Sequence, residues 1–322
     1  MKFRRLVLVF LVVSATIFWG CGSDSDDDDA TVSGITWITI PEGHFFMGTF
    51  DDPLHPEEAP VHTVNLDAFQ ISQTEITNAQ YADYLNDALE EGYVFATASK
   101  VYGAVGTYVG YLYLDLEGAA ADGEDPDNAC HIIYEDGVFS AEAGYENWPV
   151  TFVSWHGAYA FTRFYTEVYG VAMGLPTEAE WEYAAGGEDE LDYPSDDGTL
   201  SCEKANYDCG SSLGRVTTAG SYPSNTWELQ DMAGNVREWC WDWYDEAYYS
   251  SSSSSNPVNL SGSEPPSDGS ATGGDGEPYN YDTRVVRGGS YTSSADDLRT
   301  AARDQDYPFN LNGQTGFRVV LR

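Results

Sequence analysis

Residues Arg284–Arg322 read RVVRGGSYTSSADDLRTAARDQDYPFNLNGQTGFRVVLR, and the reading of this stretch decides the fold. Six of the fourteen Lys and Arg residues of a very acidic chain fall here: Arg284, Arg287, Arg299, Arg303, Arg318 and Arg322. Apolar residues and glycines between them read as a fixed frame. The remaining positions, from Thr292 to Ser294 and on through Asp296, Asp297, Thr300, Asp304, Asp306, Tyr307, Asn310 and Asn312, read as a polar surface held by that frame. Guanidinium groups in apolar surroundings need carboxylate partners. The nearest supply is Leu175–Glu182, LPTEAEWE, where Glu178, Glu180 and Glu182 crowd one turn. Thr177 with Glu180 forms a capping box there, and the helix dipole favours an acid in its first turn.

Upstream, Asn225–Tyr244 (NTWELQDMAGNVREWCWDWY) places a Gly234-Asn235 turn between Asp231 and Glu238, so that carboxylates and turn carbonyls together suit a hard cation. Ser250–Ser255 and the Pro-, Gly- and Asp-rich residues that follow form a low-complexity stretch, expected to be a mobile insertion loop over 250–280. Two further helices are expected. One starts at the Thr77/Gln80 capping box and runs to Gly92; the other is capped by Ser154 and ended by Gly170. Alternation over 35–50 around Pro41-Glu42-Gly43 predicts a hairpin, residues 61–71 a further strand, and 148–155 a short strand leading into the second helix. Residues 93–147 carry no clear period, and the acids Glu124, Asp125 and Asp127 fit a solvated loop.

The amino terminus has Lys2, Arg4 and Arg5, an apolar run over Leu6–Phe18, then Gly20 and Cys21, the proportions of a secretory signal spanning 1–20. Cys21 after a small residue is expected to be lipidated, which makes the membrane a partner through the anchor and the outer membrane or cell surface the location. Residues 21–34 then serve as an acidic tether. Without residues 1–20 the chain keeps 11 Lys and Arg against 53 Asp and Glu, a formal charge of −42. Nucleic acid is excluded as a partner, because its backbone needs cationic neutralisation. Export permits disulfides, and Cys202 and Cys209 are the expected pair.

Taken in chain order, the motifs resemble the sulfatase-modifying-factor, or formylglycine-generating-enzyme-like, family. They are Ile40–Gly43 with Phe46–Gly48, Glu58–His62, Glu75–Asn78 with Tyr81, Val153–Trp155, Leu175–Glu182, Asp231–Val236 with Glu238-Trp239, Arg287–Tyr291 and Gly316–Arg318. The resemblance covers 35–322 and implies an α+β fold, low in regular structure and related to C-type lectin folds, with structural Ca2+. One calcium site maps onto the side chains of Asp231 and Glu238 and the carbonyls of Gly234 and Val236. The oxidases of this family use two copper-binding cysteines after Gly-Gly-Ser. Here Tyr291–Leu298 holds no cysteine, so no copper site carries over. The family's Arg before Leu-Pro-Thr-Glu is also replaced, by Gly174, which predicts a weakened ion pair.

Three functions fit. The first is a non-catalytic, lipid-anchored surface protein that binds a protein or glycan through Tyr291, Thr292, Ser293, Ser294, Asp296, Asp297, Thr300, Asp304, Asp306, Tyr307, Asn310 and Asn312. The same segment resembles the variable region of retroelement-diversified proteins, whose scattered Ser, Thr, Asp, Tyr and Asn sit in a fixed RGGS, AAR and GFR frame. The second is an enzyme of different chemistry on the same scaffold, for which His55 and His62 stand nearest the face without a three-ligand metal set. The third is a structural part of an envelope complex.

Overall fold

Three helices form where the local code for starting and stopping is strongest. The helix α1, Asn78–Glu90, begins at a capping box in which Gln80 N donates to Thr77 Oγ1 and Gln80 Oε1 accepts from Thr77 N. The helix α2, Trp155–Tyr169, starts on Ser154 and stops at Gly170 in the left-handed conformation. The helix α3, Glu178–Gly186, is capped by Thr177 and Glu180 as expected. In the computed structural model the described residues are 34–50, 53–119, 125–187, 189–210, 213–265, 267 and 281–322, and the chain from Thr31 on is a single unit. The expected signal, Cys21 and the tether up to residue 33 lie outside the described residues. No described helix is long and apolar enough to cross a membrane.

Among the described residues, fifteen short strands make two four-stranded sheets and three smaller ones. The first sheet orders β1 (Trp37–Ile40), β4 (Phe69–Ser72), β15 (Val320–Leu321) and β10 (Met173–Gly174). The second orders β13 (Asp304–Asp306), β12 (Arg284–Arg287), β11 (Arg237–Trp243) and β14 (Thr315–Gly316). The pair β2 (Gly43–Met47) and β3 (His62–Leu66) stands apart, as do β5 (Val94–Ala96), β6 (Lys100–Gly103) and β7 (Leu112–Asp115), and the hairpin of β8 (Ile132–Glu135) and β9 (Val138–Ala141).

Several expectations need correction. The stretch 35–50 is not a hairpin: β1 pairs with β4 and β2 with β3, because Pro41 and Glu42 carry the chain from one sheet to another. Residues 61–71 are two strands broken at Asp67-Ala68. Residues 148–153 make only isolated bridges, Thr77 to Pro149 and Leu114 to Val153. Residues 93–147 hold five of the strands. The loop after Ser250 is stitched down as far as Pro265: Ser254 O accepts from Asn65 N at 2.9 Å, and Glu264 pairs with Arg284 at 2.6 Å. Residues 266 and 268–280 lie outside the described residues.

Two cores flank the sheets. In one, α1 and α2 meet through aromatics, with Tyr84 and Phe164 rings 5.5 Å apart and Phe161 edge-on to Phe317 at 5.5 Å. The other packs Ile40, Val64, Ile71, Trp181, Cys240 and Val285. Between them runs a set of buried ion pairs. Arg287 bridges Glu178 (2.8 Å) and Glu182 (2.7 Å), and Arg303 grips Glu178 with both Nε and Nη2. Arg318 does the same to Glu238, and Arg299 holds both oxygens of Glu58 through Nη1 and Nη2. The two remaining acids nearby are held differently. Glu180 takes Arg322, and Asp242 accepts the backbone amides of Glu178 and Asn259. Gly174 does not leave a hole, since a Cβ there would stand 2.5 Å from Arg322 Nη1. The terminal arginine fills the place and pairs with Glu180.

Removing one partner of such a pair leaves a buried charge, at a cost of about 3–5 kcal/mol. We predict that loss for Arg318→Met in urea unfolding. Arg163→Met, on an exposed pair with Glu167, should change stability by less than about 1 kcal/mol. Equal effects would mean that burial of the pair does not matter.

Asp242 supplies a pH signature. Burial, aided by the Glu178 charge, pushes its carboxyl up to about 7, against an ordinary value of ~3.9. The folded state therefore holds a proton that the unfolded chain releases, and stability from this group is present below ~4 and lost as pH rises through about 7. The wild type should lose unfolding free energy between about pH 5 and pH 8 more steeply than Asp242→Asn does. Parallel slopes would remove Asp242 as the cause.

Candidate functional site

The polar face is built on the turn that follows β12. Gly288 (φ +89°) and Gly289 (φ +67°) take left-handed conformations, and a Cβ on Gly289 would stand 2.6 Å from Leu298 Cδ1. The turn brings Tyr291 N to Asn235 O (3.0 Å) and Ser293 O to Asp208 N (3.0 Å), which ties the segment to the Gly234-Asn235 turn and to the loop closed by the Cys202–Cys209 disulfide. A short 3-10 turn over Ala295–Leu298 follows. It is fixed by Asp297 Oδ2, which accepts both the amide and the hydroxyl of Ser294 at 2.9 Å.

The twelve expected contact residues divide by burial. Thr292, Ser294, Asp296, Asp297 and Asp304 are exposed, and Ser293, Tyr307, Asn310 and Asn312 are half-buried. Tyr291, Thr300 and Asp306 are buried, and their reading as contact residues is corrected. Tyr291 packs with Val216 and Val236. Thr300 donates its hydroxyl to Leu191 O at 2.6 Å, and its carbonyl accepts from Arg287. Asp306 organises the turn below it, accepting from Tyr307 N, Asn310 Nδ2, Asn312 Nδ2 and Arg237 Nη2.

A cavity of about 330 Å³ opens at this face, lined by His55, Glu57, Ser293, Asp296, Asp304 and Gln314 among others. Gln314 and Arg237 escaped the sequence reading. Gln314 Oε1 accepts from Thr292 Oγ1 at 3.0 Å, and Arg237 Nη1 donates to Asp304 at 2.8 Å. Arg237 sits inside the Asp231–Glu238 motif, but strand alternation alone does not say which face it serves. Near the cavity no thiol stands at the two ends of the 293–298 turn. Ser293 Oγ accepts from Ser290 N at 3.0 Å, and Leu298 is buried under Gly289. Cys240 is fully buried in the second core, and burial pushes its thiol well up.

Of the expected calcium residues, the side chains of Asp231 and Glu238 come together around Arg318. Glu238 is held by Arg318 and by Trp181 Nε1 at 2.7 Å. Asp231 Oδ2 accepts from Gly220 N, while Asp231 Oδ1 and Glu75 Oε2 are buried without a hydrogen-bond partner among the described residues. Burial first, and then the Asp231 charge, raises Glu75 well above its ordinary value; burial likewise raises Asp231. Three carboxylates face one guanidinium here. Orphaned carboxylate oxygens in an anionic pocket are the donor set that a hard divalent cation takes, so the residues fit Ca2+. Glu75 joins the expected set of Asp231, Glu238 and the carbonyls of Gly234 and Val236.

The histidines separate as well. His156 is buried with Nε2 3.0 Å from Glu264, and His131 lies between Glu142 and the carbonyl of Asp127. His62 stands against Tyr249 at 4.9 Å between ring centres and reaches Ser252. His55 alone faces the cavity, and it is brought beside Glu57, Glu58 and Asp296. The sequence reading found no three-ligand set around His55; the fold brings one ligand atom each of His55, Glu57 and Glu58 within 4.8 Å of one another.

Comparison with known proteins agrees with this geometry. The profile of the sulfatase-modifying factor enzyme 1-like domain matches residues 24–322. A formylglycine-generating enzyme of Streptomyces coelicolor is 33% identical over 308 residues, covering 88% of this chain and 88% of the enzyme. Serine/threonine-protein kinase pkn1 of Chlamydia pneumoniae is 33% identical over 285 residues, covering 88% of this chain, which spans 37% of that protein's length. The solved structure of Treponema denticola variable protein 1 superposes with a TM-score of 0.55 at 22% identity, covering 89% of this chain and 95% of that one, and shares the fold. The chain belongs to the sulfatase-modifying factor enzyme 1-like family.

Proposed function

We propose that this protein is exported, anchored through a lipid on Cys21, and binds a protein or glycan through the exposed part of the 292–312 face without catalysing a reaction. One observation carries the reading. Arg284, Arg287, Arg303 and Arg318 are buried in ion pairs, whereas Thr292, Ser294, Asp296, Asp297 and Asp304 are exposed and hydrogen-bond to polar groups beside them rather than packing into either core. A surface of this kind accepts substitution without loss of the fold, which is also what a diversified segment requires. A near-copy of the last coding segment beside a reverse transcriptase gene is the expected mark of diversification; neither being present would remove that refinement.

Replacing Thr292, Ser294, Asp296 and Asp297 together by Ala or Gly should leave the melting temperature within a few degrees of wild type, roughly the shift of 1 kcal/mol or less. Binding to intact cells or to a glycan array should be lost. Unfolding of the variant would make these residues structural instead, and unchanged binding would move the contact elsewhere.

A second reading is favoured by the Streptomyces coelicolor relative: an oxidase whose chemistry uses other residues on the same scaffold. Stoichiometric copper in the purified protein, with oxygen consumed on a cysteine-containing peptide, would establish that reading against the first.

Calcium belongs to the first reading as a structural ion. Asp231, Glu238 and the carbonyls of Gly234 and Val236 would hold it, with Glu75 in reach, and its charge would relieve the excess of carboxylates around Arg318. Saturating Ca2+ should raise the melting temperature, chelation should lower it, and Asp231→Asn should abolish the difference. A melting temperature indifferent to Ca2+ in the wild type would contradict the assignment.

A further inference from the structure

His55 lies on the loop that enters the 3-10 turn Pro56–Glu58, and the polar face approaches it from the other side of the cavity. Its Nε2 is 2.9 Å from Asp296 Oδ2, the distance of a charge-assisted hydrogen bond, which places a proton on Nε2. The other ring nitrogen then faces carboxylates. Nδ1 is 3.4 Å from Glu57 Oε1 and 3.7 Å from Glu58 Oε1. Both separations are too long for a good N–H···O bond, whose usual length is about 2.9 Å. They are close to the edge of a coordination tetrahedron. Ligand atoms about 2.0–2.2 Å from a zinc ion stand roughly 3.3–3.6 Å from one another. One ligand atom from each of His55, Glu57 and Glu58 lies within 4.8 Å of the others.

We infer that His55 Nδ1 and the carboxylates of Glu57 and Glu58 form a site for a borderline divalent metal ion, zinc first, with its fourth position open to the cavity of the polar face. This goes beyond the binding role proposed above and does not depend on it. The acids around His55 are Glu57, Glu58 and Asp296, of which Arg299 pairs with Glu58 and Asp296 but not with Glu57.

The surroundings are those of a supported ligand set. The Asp296 bond to Nε2 orients the ring and leaves Nδ1 turned to Glu57 and Glu58, the usual arrangement of a metal-bound imidazole. Arg299 donates to both oxygens of Glu58 at 2.8 and 2.9 Å, and through Nε to Asp296 at 2.8 Å. A carboxylate oxygen that accepts one such bond keeps a lone pair for a metal. Glu57, by contrast, has its side chain hydrogen-bonded only to His55 among the described residues, so an ion would give it the strong partner it lacks. Ser293, Asp304 and Gln314 line the same cavity, so a water or a ligand oxygen from it would complete the shell.

The test is a Co2+ titration of the chelator-treated protein, from residue 31 to the end, in saturating Ca2+ so that the Asp231 site is filled. One equivalent should bind, with the visible d–d spectrum of a tetrahedral N/O site, and Zn2+ should displace it. Affinity should fall as pH drops and protons compete for Nδ1. Glu57→Gln, at a partly exposed position that leaves the ion pairs intact, should weaken binding at least tenfold, Asp296→Asn by about ten- to a hundredfold, and His55→Phe should abolish it. In the wild type the imidazole nitrogen resonances of His55 should shift on Zn2+ addition. Absence of tight Co2+ binding to the wild type, or an affinity in Glu57→Gln or His55→Phe equal to that of the wild type, would overturn the site.

Discussion

The rest of this structure depends on the neutralisation of buried arginine by glutamate. A guanidinium taken out of water loses several kcal/mol of hydration, and only a close, multiply hydrogen-bonded carboxylate offsets that. Arg287, Arg303 and Arg318 are fully buried in this sense, each with charged hydrogen bonds to carboxylates whose side chains are 1–3% exposed. The helix α3 shows how far the constraint reaches. All nine of its residues are buried, and its first, third and fifth are glutamates that meet Arg287, Arg303 and Arg322 from the end of the chain. A helix of that composition could not pack there without them.

The last forty residues therefore act as a lock. They contribute β12, β13 and β14 to one sheet and β15 to the other, and Phe317 reaches the aromatic core between α1 and α2. The same segment carries the first part of the polar face, residues 292–297, between two of its locking arginines, Arg287 and Arg303. Rigidity and variability are thus neighbours in sequence but separate in space: the guanidinium heads of both point inward to α3, and the short polar side chains of 292–297 point outward. The exposed acids of the face, Asp296, Asp297 and Asp304, add to the surface of a chain with a large negative excess. Such a surface suits solubility and cations rather than polyanions.

The helices were legible in the sequence because their signals are local: Thr77 with Gln80, Ser154 with Gly170, and Thr177 with Glu180 each act within one or two turns. The partnership of the α3 acids with the terminal arginines was legible too, since few other cations exist. Strand pairing was not. Alternation over 35–50 reveals strands but not their partners, and β1 finds β4 and then β15, almost 250 residues later in sequence. At the face, residue type failed to report burial: Tyr291, Thr300 and Asp306 look like their exposed neighbours in sequence, yet packing and hydrogen bonding draw them inward. The grouping of His55 with Asp296 was invisible for the same reason as strand pairing, because 241 positions separate Glu58 from the arginine that holds it in place.

The central claim is that a frame locked by ion pairs carries a face energetically independent of it. Amide hydrogen exchange measures this directly. The account predicts that amides of β11, β12 and residues 315–320 exchange only by global unfolding, whereas those of 294–297 exchange through local opening at much lower free energy. Protection of 294–297 equal to that of β12 would show that the face is part of the frame, and would contradict the account.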